Sequence, residues 1–156
     1  MRVLFVCTGN TCRSAMAEYI ARRLIDERGV SDVEVGSAGT AAWDGAPASD
    51  GALLVAMERE VDLSGHRSRM LTPELVASYD LVLTMGPHHL ERVKAFGAGD
   101  RAFLLSDYAS RGADSHAVND PFDGNLGVYR STFEELDREV RRVVDRLAAE
   151  RATGGP

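Results

Sequence analysis

The order of apolar and polar residues along the chain predicts strands that alternate with helices. A short continuous apolar run at 3–6 indicates a strand buried on both faces, and the segments at 33–35, 81–83 and 102–105 look similar. Between the first two runs, Met16, Ile20 and Leu24 are spaced to share one side of a helix. A second helix is predicted over 52–59. The chain therefore reads as an alternating α/β sequence.

The last helix has the clearest pattern. Its apolar residues recur at helical spacing and share one face, comprising Phe133, Leu136, Val140, Val143 and Leu147. Strands that alternate with helices favour right-handed crossovers. We therefore expect an α/β fold with one doubly wound, four-stranded parallel sheet and helices on both faces. Ligands in such folds bind beyond the carboxyl ends of the strands, so the segment after Cys7, where the first strand ends, is the place to look for chemistry.

Length and charge narrow the class of protein. The 156 residues suit one domain, predicted over 1–152 with a short tail at 153–156. The formal net charge of −6 leaves no basic surface for nucleic acid or an anionic membrane, and no apolar run approaches the roughly 18 residues of a membrane span. With two cysteines and no apolar stretch long enough for an export signal, the sequence favours a reduced, cytoplasmic protein. We expect a monomer.

Residues 7–14 read Cys-Thr-Gly-Asn-Thr-Cys-Arg-Ser, between the first strand and the first helix. Gly9 permits positive φ and Asn10 tolerates it, so successive N–H groups turn inward as an anion-binding nest. The helix N-terminus adds unpaired N–H donors, and the Arg13 guanidinium can hold two phosphate oxygens. The sequence thus predicts a phosphate-binding loop after the first strand, with ligand contacts from Thr8, Gly9, Asn10, Thr11, Cys12 and Arg13.

Cys7 is predicted to lie beneath a phosphate held by this loop. A thiol in an electropositive site is readily deprotonated, and its thiolate would attack phosphorus without a metal. The alternative is a cysteine buried simply as a small core residue. A zinc site is disfavoured because Cys7 and Cys12 have the wrong spacing and there is no second cysteine pair. Nucleotide-binding loops are disfavoured too. No Lys-Ser/Thr pair follows Gly9, as a P-loop requires, and the segment contains no G-x-G-x-x-G motif. We expect no metal and no cofactor.

The run VLFVCTGNTCRSAMAE resembles the signature of the low molecular weight protein tyrosine phosphatase family, C-x5-R-S after the first strand. Matches follow in the expected order at 37–39 (SAG), 80–85 (DLVLTM) and 120–122 (DPF), so the resemblance covers almost the whole chain. It implies a cysteine-dependent protein phosphatase with a thiophosphate intermediate, in which Cys7 is the nucleophile, Arg13 binds phosphate and Asp120 is the general acid/base. Ala15 departs from the proline usual in the family.

The resemblance also assigns supporting roles. Asn10 and Ser37 would brace the loop, and Ser14 would stabilise the thiolate, although an ordinary helix N-cap is an equal alternative for Ser14. Cys12 would capture oxidised Cys7 as a disulfide and make the activity redox-sensitive. The alternative for Cys12 is a packed thiol.

Thr11 bears on the substrate. Tyrosine phosphatases of the family generally carry an aliphatic residue there, and the loop with threonine resembles the bacterial protein-arginine phosphatase branch, as do 120–124 and 128–129. A guanidinium leaving group carries a positive charge that Asp120 can pair with. Trp43 and Phe122 are the other candidate specificity residues, and Trp43 is equally well read as a packing residue. We favour phosphoarginine in proteins over phosphotyrosine. A phosphate-binding module without catalysis is the alternative from a different class.

Two further features receive no role. Residues 66–69 (HRSR) and 88–89 (HH) are expected on a solvated surface. Thioredoxin-coupled arsenate reductases resemble this fold and loop, but they relay a disulfide through additional cysteines, and this chain has only Cys7 and Cys12.

Overall fold

The computed structural model describes residues 1–153 as a parallel sheet packed between two layers of helices. The four strands are β1 (Arg2–Cys7), β2 (Glu34–Gly39), β3 (Leu81–Thr84) and β4 (Ala102–Leu104), in the spatial order β2-β1-β3-β4. All three strand pairings are parallel. The helices are α1 (Arg13–Arg28), α2 (Asp50–Glu58), α3 (Pro73–Ala77), α4 (Pro87–Ala95), α5 (Leu105–Ala109) and α6 (Leu126–Thr153), with a 3₁₀ turn at Gly99–Arg101. The predicted fold class is confirmed.

Strand β1 lies inside the sheet and is buried on both faces. Val3, Phe5 and Cys7 point into the core formed with α1, α2, α5 and α6. Leu4 and Val6 point into a second core formed with α3 and α4. Because alternate residues of β1 face the two cores, every position of the strand from residue 3 onward has to be apolar. Within residues 1–153, no helix combines the length and apolar character needed to cross a bilayer.

Helix α1 places its N-terminus at the carboxyl end of β1. Its predicted stripe of Met16, Ile20 and Leu24 is buried against the sheet. The helix ends at Gly29, which adopts φ 60° and closes the last turn. The N-cap residue is Cys12, and no side chain caps this end. Ser14 lies within the first turn, so the alternative that it serves as the N-cap is wrong.

The predicted boundaries change where packing overrides local pattern. The second strand runs to Gly39 instead of stopping at residue 35, because β1 pairs with each of its residues in turn although glycine is a poor strand former. The fourth strand stops at Leu104, since Leu105 begins α5. Of the predicted tail at 153–156, Thr153 is the last residue of α6, and 154–156 lie outside the described residues.

Candidate active site

The segment between β1 and α1 curls over the Cys7 thiol. Asn10 adopts the left-handed conformation at φ 58°, whereas Gly9 does not use the positive φ that glycine permits. Gly39 of β2 packs against the loop from behind, where a Cβ atom would lie 2.3 Å from the Thr8 carbonyl oxygen. The buried Cys7 Sγ receives the Asn10 backbone N–H at 3.3 Å and lies 2.9 Å from Ser14 Oγ.

The Asn10 side chain orients two hydroxyl groups. Its Nδ2 donates to Ser14 Oγ and to Ser37 Oγ, each at 2.8 Å. The Arg69 backbone N–H donates to Asn10 Oδ1 at 3.0 Å, which establishes which end of the amide is the nitrogen. Both hydroxyl oxygens therefore accept from Asn10, and each hydroxyl hydrogen is left for another partner. A thiolate can only accept, so the Ser14 hydrogen points at Cys7 Sγ when Cys7 is ionised.

Glu18 is the partner of the other hydroxyl. Ser37 Oγ donates to Glu18 Oε1 at 2.6 Å. Glu18 is 6% exposed, and its second oxygen accepts from Arg22 Nε at 2.8 Å. A continuous hydrogen-bond chain thus runs from a buried carboxylate, through Ser37, Asn10 and Ser14, to the thiol. Sequence reasoning did not identify Glu18 as a site residue, since its spacing to Arg22 is that of any exposed helical ion pair.

The expectation that residues 66–69 and 88–89 are solvated is wrong for His66, Ser68 and His89, which are buried, and holds for the exposed Arg67 and His88. His66 is 3% exposed, because its Nε2 bonds the Asn10 carbonyl oxygen at 2.6 Å and its ring packs edge-on against Tyr19. The Arg69 Nε donates to the Ser37 carbonyl oxygen at 2.9 Å. Segment 66–69 therefore supports the phosphate-binding loop from behind.

His89 supports the same loop from the other core. It is completely buried, and its Nε2 lies 2.9 Å from Thr8 Oγ1. Burial, with smaller contributions from His88 and Arg13, lowers the pKa of His89 from 6.5 to about 3. The imidazole is therefore neutral at physiological pH. His89 is far from the loop in the sequence, and its tertiary contact with Thr8 is what places it beside the site.

Arg13 and Asp120 meet across the opening of the loop. The buried Arg13 donates from Nη1 to the Val118 carbonyl oxygen at 3.1 Å, and its Nη2 lies 3.5 Å from Asp120 Oδ2. The Asp120 side chain is 53% exposed, and its Oδ1 accepts the Phe122 backbone N–H at 3.1 Å. The guanidinium thus holds the acidic segment over the loop, with the carboxylate facing the solvent side.

A cavity of about 220 Å³ collects most of the predicted residues. It is lined by Cys7, Thr8, Gly9, Thr11, Cys12, Arg13, Asp120 and Phe122. Trp43 is 84% exposed and is not among the described residues that line this cavity. Within residues 1–153, no group of three or more His, Cys, Asp or Glu is placed to hold a metal ion.

Cys12 shares the cavity with Cys7 and has polar partners of its own. Its Sγ lies 3.1 Å from Ser49 Oγ and 3.6 Å from the Tyr129 hydroxyl. Both cysteines are free thiols. Burial raises the pKa of Tyr129, so this phenol stays protonated and can act as a hydrogen-bond donor near Cys12.

A thiol at the end of the first strand of a doubly wound sheet lies under a loop whose Asn10 N–H points at the sulfur, with a guanidinium and a carboxyl group at its opening. This combination of fold and site is that of a cysteine-based phosphatase. Residues 2–153 match the family described as low molecular weight phosphotyrosine protein phosphatase. The chain belongs to this family and is a low molecular weight phosphatase, which confirms the resemblance seen in the sequence.

Individual relatives fall into two groups by name. A protein-arginine-phosphatase of Bacillus subtilis (strain 168) is 38% identical over 154 residues, which span 97% of this chain and 99% of the relative. The low molecular weight protein-tyrosine-phosphatase PtpB of Staphylococcus haemolyticus (strain JCSC1435) is 37% identical over 137 residues, or 87% and 92% of the two chains. A solved YwlE arginine phosphatase, in which a serine replaces the active-site cysteine and is phosphorylated, has a TM-score of 0.88 and 35% identity, and the alignment covers 97% of this chain and 99% of the other.

Proposed function

We propose that this phosphatase hydrolyses phosphoarginine in proteins, with Cys7 as the nucleophile and Asp120 as the general acid/base. The observation that carries the proposal is Thr11, which lines the cavity above Cys7 in place of an aliphatic residue. The similarity to a protein-arginine-phosphatase of Bacillus subtilis over almost the whole chain supports it.

In the first step, the Cys7 thiolate attacks phosphorus from beneath the loop. The backbone N–H groups of 8–12 and the Arg13 guanidinium bind the phosphoryl oxygens and balance their charge. As the S–P bond forms, the P–N bond to the substrate guanidinium breaks. Asp120, which lies at the opening of the loop, donates the proton that the leaving nitrogen takes up. The product of this step is a thiophosphate on Cys7 and an unmodified arginine side chain.

In the second step, water attacks the thiophosphate from the side that the leaving group vacated. Asp120, now ionised, accepts the proton of this water. The S–P bond breaks, inorganic phosphate leaves and the Cys7 thiolate is restored. The hydrogen bond from the Ser14 hydroxyl, 2.9 Å from the sulfur, stabilises this leaving thiolate. The phosphorylated active-site serine in the related arginine phosphatase is consistent with phosphoryl transfer to this position.

The contacts of the leaving group distinguish the two candidate substrates. A phosphoarginine side chain is narrow and polar, and its leaving guanidinium becomes cationic beside Asp120. The Thr11 hydroxyl offers a hydrogen bond to a phosphoryl oxygen or to the attacking water, and its methyl group narrows the cavity. Phe122, on the cavity wall, would stack against a guanidinium plane.

Phosphotyrosine is the second candidate. Its aryl ring would stack on the same Phe122, and PtpB of Staphylococcus haemolyticus is a tyrosine phosphatase by name. The deciding experiment measures kcat/KM on one peptide carrying either phosphoarginine or phosphotyrosine at the same position. A higher value for phosphoarginine supports the proposal, and a far higher value for phosphotyrosine refutes it. Para-nitrophenyl phosphate turnover in EDTA tests for catalysis itself, since a phosphate-binding module would show none.

We further propose that oxidation switches the activity off. Peroxide would convert the Cys7 thiolate to a sulfenic acid, and the Cys12 thiolate would attack that sulfur, form the disulfide and release hydroxide. The supporting observation is that both free cysteines line one cavity. A reducing compartment such as the cytoplasm would return the pair to thiols. Reversible loss of activity in the wild type, against irreversible loss in Cys12→Ala, is the expected result.

A further inference from the structure

A second cavity, of about 420 Å³, lies beside the catalytic cavity, between α2, the segment after Asp120 and the start of α6. Its apolar walls are the side chains of Leu54, Phe122 and Leu126. These are three of the seven large hydrophobic residues that are exposed among the described residues. Scattered exposed apolar residues are ordinary, but a cluster around a concave surface marks a binding site. We call this cavity the flanking groove.

The walls of the flanking groove are held together by direct contacts. Arg130 of α6 donates two hydrogen bonds to the Glu58 carboxylate of α2, at 2.9 and 2.7 Å. On the groove floor, Gly51 lies against Tyr129 so closely that a Cβ atom would be 2.6 Å from the ring. Asn125 Oδ1 accepts the Val128 backbone N–H at 3.0 Å and fixes the start of α6. The groove is therefore a preformed surface.

Phe122 joins the two cavities, since it lines both of them. An extended chain advances about 3.3–3.6 Å per residue. When a phosphorylated side chain reaches Cys7, a residue one or two positions away in the same chain would lie next to Phe122. A substrate polypeptide is therefore the occupant that can fill both cavities at once.

The charge of the flanking groove further restricts which substrate side chains can bind there. Asp50 and Asp123 line it, and among the described residues no Lys, Arg or His does. Opposite charges at the rim of a site favour association and discriminate against acidic partners. The groove thus suits an apolar side chain that has a basic residue beside it.

We propose that the flanking groove binds the side chain of an apolar substrate residue one or two positions from the phosphorylated residue and favours a basic residue next to it. This proposal rests on the proposed function, because it requires a phosphorylated protein as the substrate. Contacts in the flanking groove would make the enzyme selective for the residues next to the phosphorylated residue. The catalytic cavity, which binds the phosphorylated side chain itself, cannot supply this selectivity.

The test compares phosphopeptides that differ only beside the phosphorylated residue, with Leu, Gly or Asp at the two flanking positions. The wild type is expected to show about tenfold higher kcat/KM for the Leu peptide than for the Gly peptide, mainly through KM, since tenfold corresponds to about 1.4 kcal/mol. Leu54→Ser is expected to remove most of this difference. Met57→Ser is the matched control, because Met57 is exposed on the same helix but does not line the groove. Turnover of para-nitrophenyl phosphate is expected to be the same in all three proteins.

Charge is tested separately with Asp123→Asn and a peptide that carries Lys beside the flanking Leu. We expect a loss of roughly threefold in kcat/KM for this peptide, which shrinks as salt is raised. An Asp123→Asn protein that handles the Lys peptide as the wild type does would remove the charge preference from the proposal.

Equal kcat/KM for the Leu, Gly and Asp peptides in the wild type would overturn the proposal. So would a Leu54→Ser protein that keeps the full preference for Leu. Running the series on both phosphoarginine and phosphotyrosine separates the two proposals. If the arginine preference is wrong, the tyrosine series is faster but still favours Leu; if the groove proposal is wrong, neither series depends on the flanking residue.

Discussion

Asn10 donates a hydrogen bond to Ser14 Oγ at 2.8 Å, and Ser14 Oγ in turn lies 2.9 Å from Cys7 Sγ. A thiolate has no hydrogen to donate, so the Ser14 hydroxyl is the donor whenever Cys7 is ionised. Its hydrogen bond is therefore aimed at the charged form of the nucleophile.

Ser14→Ala is expected to lower kcat by about 10- to 100-fold, since a hydrogen bond to a charged group contributes about 1.5–3 kcal/mol. Alkylation of Cys7 by iodoacetamide, measured at one fixed pH, should be slower than in the wild type. Peptide mass mapping separates Cys7 from Cys12 in this assay. Ser78→Ala, at an exposed helix end, is the control. If Cys7 is alkylated as readily in Ser14→Ala as in the wild type, the hydroxyl does not act on the thiol.

Glu18→Gln is expected to reduce the free energy of unfolding by roughly 1–3 kcal/mol and to lower kcat. The reason is that a buried carboxylate at the end of the hydrogen-bond chain loses its charge, and Arg22 loses its partner. Urea unfolding and steady-state kinetics measure the two effects. Glu27→Gln is the matched control, because Glu27 makes an i,i+4 ion pair with Arg23 on the same helix but is exposed. Its effect should stay within about 0.5 kcal/mol, and similar losses in the two variants would contradict the buried role of Glu18.

The buried His89 is expected to make folding stability fall as the pH is lowered. Its pKa of about 3 in the folded chain lies below the 6.5 of the unfolded chain. Between these values the unfolded state binds a proton that the folded state does not, so stability is complete above pH 6.5 and is lost toward pH 3. The slope is at most about 1.4 kcal/mol per pH unit.

Urea unfolding at pH 7 and pH 5 tests this dependence. His89→Gln, which keeps a side chain able to bond Thr8, should lose less stability between the two pH values than the wild type does. His88→Gln removes an exposed imidazole from the same helix and should keep most of the wild-type slope. The same slope in wild type and His89→Gln would show that this histidine is not the titrating group.

Thr11→Ile is expected to shift preference from phosphoarginine toward phosphotyrosine by about 10- to 200-fold, the range for one changed contact in a binding pocket. Thr11→Val separates the effect of the hydrogen bond from the effect of side-chain shape, because it removes the hydroxyl and keeps the branched shape. If the hydrogen bond matters most, Val and Ile behave alike. A kcat/KM ratio unchanged in both variants would mean that Thr11 does not set the preference.

Asp120→Asn is expected to lower kcat on phosphoarginine peptides by about 10²- to 10⁴-fold. Para-nitrophenolate needs little help to leave, so the loss on para-nitrophenyl phosphate should be smaller. Because Asp120 is half exposed, the variant should fold normally, which thermal unfolding checks. Equal losses on the two substrates would argue against proton donation by Asp120.

The sheet was readable from the sequence because buried strands need continuous apolar residues, as in β1. The second strand was cut short in the prediction, since Gly36 and Gly39 weaken a local pattern that pairing with β1 restores. The short helices α3 and α5, with five residues each, carry too few positions for a periodic signal.

The motif alone was enough to predict that Cys7, Thr11 and Arg13 share one cavity, because they belong to one contiguous loop. Asp120 came from the family resemblance, because an Asp-Pro pair alone indicates only a turn. Glu18, His66 and His89 were missed, since only tertiary contacts place them at the loop. Trp43 was a candidate specificity residue with packing as the alternative, and its 84% exposure shows that the packing alternative is wrong.

His66, the Arg69 backbone and Gly39 contact the loop from its rear, so they hold its shape before any substrate arrives. The entropy cost of ordering the loop is then met during folding, and free orthophosphate, which presents the same phosphoryl oxygens, should bind to it too. Product inhibition is the consequence: turnover should slow as phosphate accumulates, and the enzyme would work fastest where other reactions keep that anion scarce.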